Sequence, residues 1–214
     1  MKPQVAEQTG PVMPGQVIPL RTPHWTQTHS GLAFDLTAQL PHQVNIHDIA
    51  AALAKQCRFA GACTQFYSVA QHSVIVADAL KKHTPIVQLY GLLHDAHEAY
   101  IGDVIRPVKE LVASVLPYDP FSALGDAVQR TIYAAFRLPE PSEAVRQLVH
   151  RADNQALATE QRDVMADPER EWGLTEAPLS RPIIPLPWPR AEEKFLQAFA
   201  DLSVQAGLGV GRRS

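Results

Sequence analysis

Cysteine is scarce in this 214-residue chain: Cys57 and Cys63 are the two present, too few for a disulfide framework and without a second pair to complete a zinc ribbon. Charge of one sign is lacking too. Nineteen Lys and Arg face 22 Asp and Glu, a formal net charge of −3, so extended nucleic acid is not an expected partner and any phosphate contact must rest on a few placed cations. The N-terminus, rich in Pro and Gln, has no apolar run of signal-peptide or membrane length, so the expectation is a soluble cytoplasmic protein with no membrane partner. What is abundant is apolar content: 46% hydrophobic residues in a length that suits a single domain.

Periodicity and punctuation predict an all-α fold with one small β-hairpin. Residues 1–20 hold four prolines and little periodicity, and read as an extended or disordered arm; a single domain follows over 21–207, with a flexible tail at 208–214. Alternation from His24 to Leu36 around Ser30-Gly31 predicts the hairpin. Asp48 is the expected cap of a helix carrying Ile49, Leu53 and Cys57, which should stop near Arg58-Phe59-Ala60-Gly61. Ser68 should cap a helix through about Lys82, and Pro85 should open one running to Tyr100 and closed by Gly102. A short helix from Pro107 to Leu111 is expected next, then longer ones over Ala123 to Phe136 and Ser142 to Met165. A turn-rich loop over Asp167 to Pro189 leads to a last amphipathic helix from Arg190 to about Gln205.

The stretch from Leu92 to Asp103 puts imidazoles and carboxylates into an otherwise apolar helix, a density that soluble cores rarely accept unless a shared cation offsets the desolvation. His94 and Asp95 supply half of such a site. His72, polar among alanines and valines, and Asp153, on a helix otherwise fit for the core, are the candidates for the rest. Two imidazoles and two carboxylates suit one divalent ion, Mn, Co, Fe, Ni, Zn or Mg, with positions left open for water and substrate.

A His, then His-Asp some twenty residues later, then an Asp in a later helix, here His72, His94-Asp95 and Asp153, resembles the HD-domain metal-dependent phosphohydrolases. The likeness runs from the hairpin near Trp25 through Glu160 and includes Phe66-Tyr67-Ser68-Val69-Ala70-Gln71-His72-Ser73 and Gly91-Leu92-Leu93-His94-Asp95-Ala96. Within that superfamily the chain is most similar to bacterial 5'-deoxynucleotidases and phage deoxynucleotide phosphohydrolases. The resemblance implies pocket roles for Arg58-Phe59, Glu98 and Gly102-Asp103; relatives often carry Gly-His where this chain has Gly61-Ala62.

The implied chemistry is hydrolysis of a small-molecule nucleotide, a deoxynucleoside 5'-monophosphate, by a water molecule activated at the ion. Glu98, expected one helical turn after His94, takes or steers the water's proton, and Asp103 protonates the leaving oxygen. Arg58, Arg106 and Lys109 are the cations expected at phosphate, while Phe59 packs on the sugar and favours deoxyribose. Triphosphate hydrolysis on the same site is one alternative, with Lys55, Arg151 and Arg162 as further cations; a nucleotide-sensing module without turnover is another. A metalloprotease-like pairing of His94 with His97 fails on order, because both histidines should flank the glutamate at helical spacing. A homo-oligomer is compatible with this sequence.

Overall fold

The computed structural model describes residues 24–208; the expected N-terminal arm and nearly all of the expected tail lie outside them. The fold is all-α with one small hairpin, as expected. Strands β1 (Trp25–Gln27) and β2 (Ala33–Asp35) pair antiparallel with Trp25 opposite Asp35. Phe34 carries the hairpin into the core, where its ring stacks on Tyr100 at 4.0 Å between centroids.

Helix α1 (Ile46–Lys55) is capped by Asn45, whose side chain accepts from the His47 amide, and not by Asp48. Three residues further on, Asp48 is buried and turns back to the hairpin, accepting from the amide and the hydroxyl of Ser30 at 2.6 and 2.8 Å. Helix α2 (Val69–Ala79) starts on the expected cap, Ser68, which accepts from the Gln71 amide. Cys57 lies past the end of α1 and pairs with Ser68 in an isolated antiparallel bridge, and the Arg58 amide donates to Tyr67 O. Arg58 and Phe59 thus sit beyond the end of α1, where Arg58 precedes a single 3-10 turn over Phe59–Gly61.

The largest departure falls in the central stretch. Helix α3 spans Pro85–Leu93, and the expected continuation to Tyr100 is broken by a turn over 94–97 before the short α4 (Glu98–Ile101), which Gly102 ends at φ +83°. Two side chains interrupt the ladder. His94 Nδ1 binds Gly91 O at 2.8 Å, the carbonyl that the Asp95 amide would otherwise take. Gln129 binds Leu93 O with Nε2 at 2.8 Å and accepts from the His97 amide at 3.2 Å, so its amide stands in place of the Leu93–His97 rung.

Helix α5 (Arg106–Val115) runs a turn beyond expectation, α6 (Pro120–Ala135) begins on Asp119 as cap, and α7 (Glu143–Val164) on Ser142. After an irregular segment, α8 (Trp188–Gln205) packs against α1, α2 and α3 through Phe195, Phe199 and Leu202. Helices α2 and α3 pack closely at Gly91, where a Cβ would meet the end of the Leu80 side chain at 2.6 Å and the Ala77 backbone at 3.4 Å. Ala152 and Ala156 do the same for α7, packing with Val76, Leu80 and Val87 in a second apolar cluster. These two small-residue contacts bring the helices carrying His72, His94 and Asp153 together.

Candidate metal centre

His72 is fully buried on α2; His94 closes α3, Asp95 follows on the turn, and Asp153 lies on α7. Their polar atoms converge. His72 Nε2 lies 3.2 Å from His94 Nε2, 3.6 Å from Asp95 Oδ2 and 3.2 Å from Asp153 Oδ1. His94 Nε2 lies 3.2 Å from Asp95 Oδ2 and 3.8 Å from Asp153 Oδ1. An ion bonded at about 2.0–2.2 Å places neighbouring donors roughly 3–3.5 Å apart, close to this spacing.

The hydrogen bonds behind the imidazoles test whether a cation fits. Gly91 O can only accept, so His94 Nδ1 carries a proton; Glu160 Oε1, 2.6 Å from His72 Nδ1, asks the same of that ring. In the neutral rings both Nε2 atoms then present lone pairs to each other across 3.2 Å, beside two carboxylates. A cation between them turns this mutual repulsion into coordination. The group His72, His94 and Asp95 can hold a metal ion, with ligand atoms all within 4.8 Å of one another. Asp95 and Asp153 keep 18% and 21% of their side chains exposed, which leaves one side of the cluster accessible to small molecules.

Electrostatics point the same way. Burial alone would raise the Asp95 and Asp153 carboxyls, yet His94 and His72 hold both below their ordinary range, in the ionised form that ligands require. Burial lowers His94, but Asp95 and Asp153 outweigh it and raise the ring well above its usual value. For His72, burial and Arg58 pull down while Glu160 and Asp153 pull up, and the net is upward. The cluster calls for positive charge.

A cavity of about 620 Å³ meets the cluster at Asp95 and Asp153. Six of the residues expected at the pocket line it, Arg58, Phe59, Glu98, Asp103, Arg106 and Lys109, whereas Gly102 does not. Glu98 is buried, so it is no solvated face residue; burial pushes its carboxyl well above the ordinary range, and Asp95 and Asp103 add to the push. Its Oε1 is 3.9 Å from Lys109 Nζ and its Oε2 has no partner. Although the helix breaks between His94 and Glu98, the turn still delivers Glu98 to the same cavity as Asp95. Burial raises Asp103 as well. Phe59 and Ala60 adopt left-handed backbone at φ 55° and 51°, a strained pair spanned by the bonds from the Gly61 amide to Arg58 O and from the Ala62 amide to Phe59 O.

Arg58 is less free than its sequence position implies. Its guanidinium is 3.0 Å from Glu160 Oε2 and 3.5 Å from Asp95 Oδ2, tying the loop to the cluster before any substrate arrives. His97 stands away from the cluster, with Nδ1 on Gln129 Oε1 at 3.2 Å. Of the further cations, Lys55 Nζ donates to Ala51 O and sits over Trp188, Arg162 grips Asp163 and Leu179 O, and neither they nor Arg151 lines the cavity. Sequence reasoning missed Trp172, whose ring lies 5.6 Å from Phe59 across the same wall, and Glu160. For Glu160 a signal existed: it lies seven residues after Asp153, two helical turns on and on the same face.

No family model matches the chain. It is 32% identical over 180 residues to the uncharacterized protein YfdR of Escherichia coli (strain K12), an alignment covering 83% of this chain and 94% of that one. The chain belongs to the YfdR family. The uncharacterized protein RCAP_rcc00048 of Rhodobacter capsulatus is similar too, at 30% identity over 154 residues, 69% of this chain and 76% of the relative. Since the YfdR alignment spans 180 residues, the family likeness takes in most of the helical body and is not confined to one motif.

Proposed function

We propose that this YfdR-family chain is an HD-type metal-dependent phosphohydrolase that removes phosphate from deoxynucleoside 5'-monophosphates. One observation carries the reading: two imidazole Nε2 atoms and two carboxylates converge beside a cavity that also presents cations, aromatic rings and a carboxylate oxygen of Glu98 without a hydrogen-bond partner. His72, His94, Asp95 and Asp153 would hold the ion, which when bound lowers the pKa of water and draws charge from a phosphoryl oxygen. The remaining work falls to the chain. Glu98 accepts the proton of the attacking water, phosphorus gains that oxygen, and the bond from phosphorus to O5' breaks. Asp103, on the wall of the same cavity, brings a proton to the leaving O5', so the products are a deoxynucleoside and inorganic phosphate. Arg106 and Lys109 meet phosphate charge at the cavity wall, and Arg58 offers what its two carboxylate partners leave free. Phe59 and Trp172 provide faces for the sugar and base.

A triphosphate reading has one observation in its favour. A second cavity of about 890 Å³ meets the cluster from the side of His94 and Asp153, and Arg130, Arg146 and His150 line it, giving room and cations for a longer chain of phosphates. The test is a panel of deoxy- and ribonucleoside mono-, di- and triphosphates, assayed with Mn, Co, Fe, Ni, Zn and Mg for free phosphate, pyrophosphate and triphosphate. Phosphate released from deoxymonophosphates, faster than from ribomonophosphates, is the expected result. Triphosphate as the product transfers the assignment to the second reading, and binding without turnover under every metal transfers it to a sensing module.

A further inference from the structure

Glu160 has no exposure to solvent, and a buried carboxylate is costly unless several donors satisfy it. Three do so here. His72 Nδ1 lies 2.6 Å from Oε1, the Tyr67 hydroxyl donates to the same oxygen at 2.9 Å, and Arg58 donates to Oε2 at 3.0 Å. The same Arg58 guanidinium reaches Asp95 Oδ2 at 3.5 Å. One carboxylate is therefore in contact, directly or through one residue, with two of the four converging side chains. Glu160 lines neither cavity.

We infer that Glu160 is the positioning residue of the metal centre, fixing the tautomer and ring orientation of His72 and, through Arg58, the placement of Asp95. The inference rests on the metal reading above. An imidazole has two neutral tautomers, and a partner that can only accept puts the proton on Nδ1 and leaves the Nε2 lone pair for the ion. Without that acceptor the proton is free to occupy Nε2, where it blocks the ligand position, and the ring is free to turn. Arg58 would lose its shorter anchor and move relative to Asp95. His72 and Asp95 come from α2 and from the turn after α3, so no local backbone element could register them against each other; a carboxylate on α7 does.

The experiment is a cobalt(II) titration of metal-free protein, read by the visible absorption band, on the parent, Glu160→Gln and Tyr67→Phe. The amide has one accepting oxygen for three donors, and its NH2 must face Arg58 or His72. Glu160→Gln is therefore expected to bind cobalt about 10- to 100-fold more weakly, with an altered band. Tyr67→Phe removes a donor to Glu160 and leaves the His72 contact, so it should lose thermal stability while keeping the parent's affinity and band. Parent-like affinity and band in Glu160→Gln, with only a lower melting temperature, would make Glu160 a structural ion-pair partner and overturn the inference while leaving the metal site standing. If the parent itself takes up no cobalt, the metal reading falls and this one with it. Should Glu160→Gln fail to fold, zinc-loaded parent labelled with 15N-histidine decides. A far-downfield, slowly exchanging His72 Nδ1 proton is the expected signature, and its absence overturns the inference.

Discussion

Glu98 carries a buried carboxylate oxygen with no hydrogen-bond partner, a costly arrangement unless something from outside the chain meets it. Its neighbour Lys109, which also lines the cavity, is 3.9 Å from the other oxygen, too distant for a hydrogen bond. Glu98→Gln keeps the shape and removes the proton acceptor, so it should retain bound metal and lose about 100- to 10,000-fold in kcat. Thermal stability should hold or rise, because a buried carboxylate with a raised pKa is replaced by a neutral amide. Metal analysis, melting and turnover on one preparation check this; activity within a few-fold of the parent would make the free oxygen incidental. Arg58→Ala belongs to another kind. It would disturb Asp95 and Glu160 as well as any phosphate, so kcat and metal affinity should fall together with a rise in KM.

At the scale of elements, long-range side-chain bonds decide what local pattern leaves open. The helix expected from Pro85 to Tyr100 breaks because Gln129, from a helix that starts near residue 120, enters its ladder, and no spacing within 85–100 announces that. Asp48 reads as the cap of its helix, but the cap is Asn45, and the partner of its acceptors, Ser30, lies 18 residues back. Asp48→Ala removes both bonds to the exposed Ser30, whose amide and hydroxyl turn to water instead, at a cost of about 0.5–1.5 kcal/mol per bond. Urea denaturation should register that loss, along with faster amide exchange across the hairpin; an unchanged midpoint would mean that the hairpin stays on the core by Phe34 alone. The irregular segment before α8 is tied down in the same manner, by Gln71 to Ile184 O and the Leu186 amide, and by Asp163 to the Ile183 amide at 2.7 Å. The Arg162 guanidinium, with the Ile183 amide, holds the Asp163 carboxyl below its ordinary range. A depressed carboxyl contributes stability that is present above its unfolded pKa of about 3.9 and is lost as pH falls through the folded value. Protection of the Ile183 amide, followed by hydrogen exchange, should thus decay between about pH 4 and the lower folded pKa, and Asp163→Asn should abolish that dependence. Protection that is flat through this range in the parent would show that the segment is held elsewhere.

For the whole molecule, fold class and the four converging residues were legible because each leaves a local mark: apolar periodicity for the helices, and polar residues out of place on apolar faces for His72, His94 and Asp153. What joins them was not, since Gly91, Ala152 and Ala156 act by being small where two helices cross, and small residues have many other uses. Those crossings hold the four side chains in place whether or not an ion is present, so a site of this kind is preformed and binding should add to stability and not create the fold. An ion that binds the folded chain and not the unfolded one stabilises it by about 2.7 kcal/mol at a hundredfold excess over Kd. For a domain of this size that is a rise in Tm of roughly 5–10 °C, at about 2–4 °C per kcal/mol. Melting curves with Mn, Co or Zn, and again after a chelator, should show a reversible shift that grows with the logarithm of metal concentration. Exposed histidines such as His29 and His47 could bind transition metals without any such site, so the comparison that matters is with His94→Ala. That variant removes one of the two facing Nε2 atoms and leaves the exposed rings untouched, and it should melt at one temperature with or without metal. An equal metal-induced shift in His94→Ala would place the bound ion elsewhere on the molecule and remove the convergence of His72, His94, Asp95 and Asp153 as its explanation.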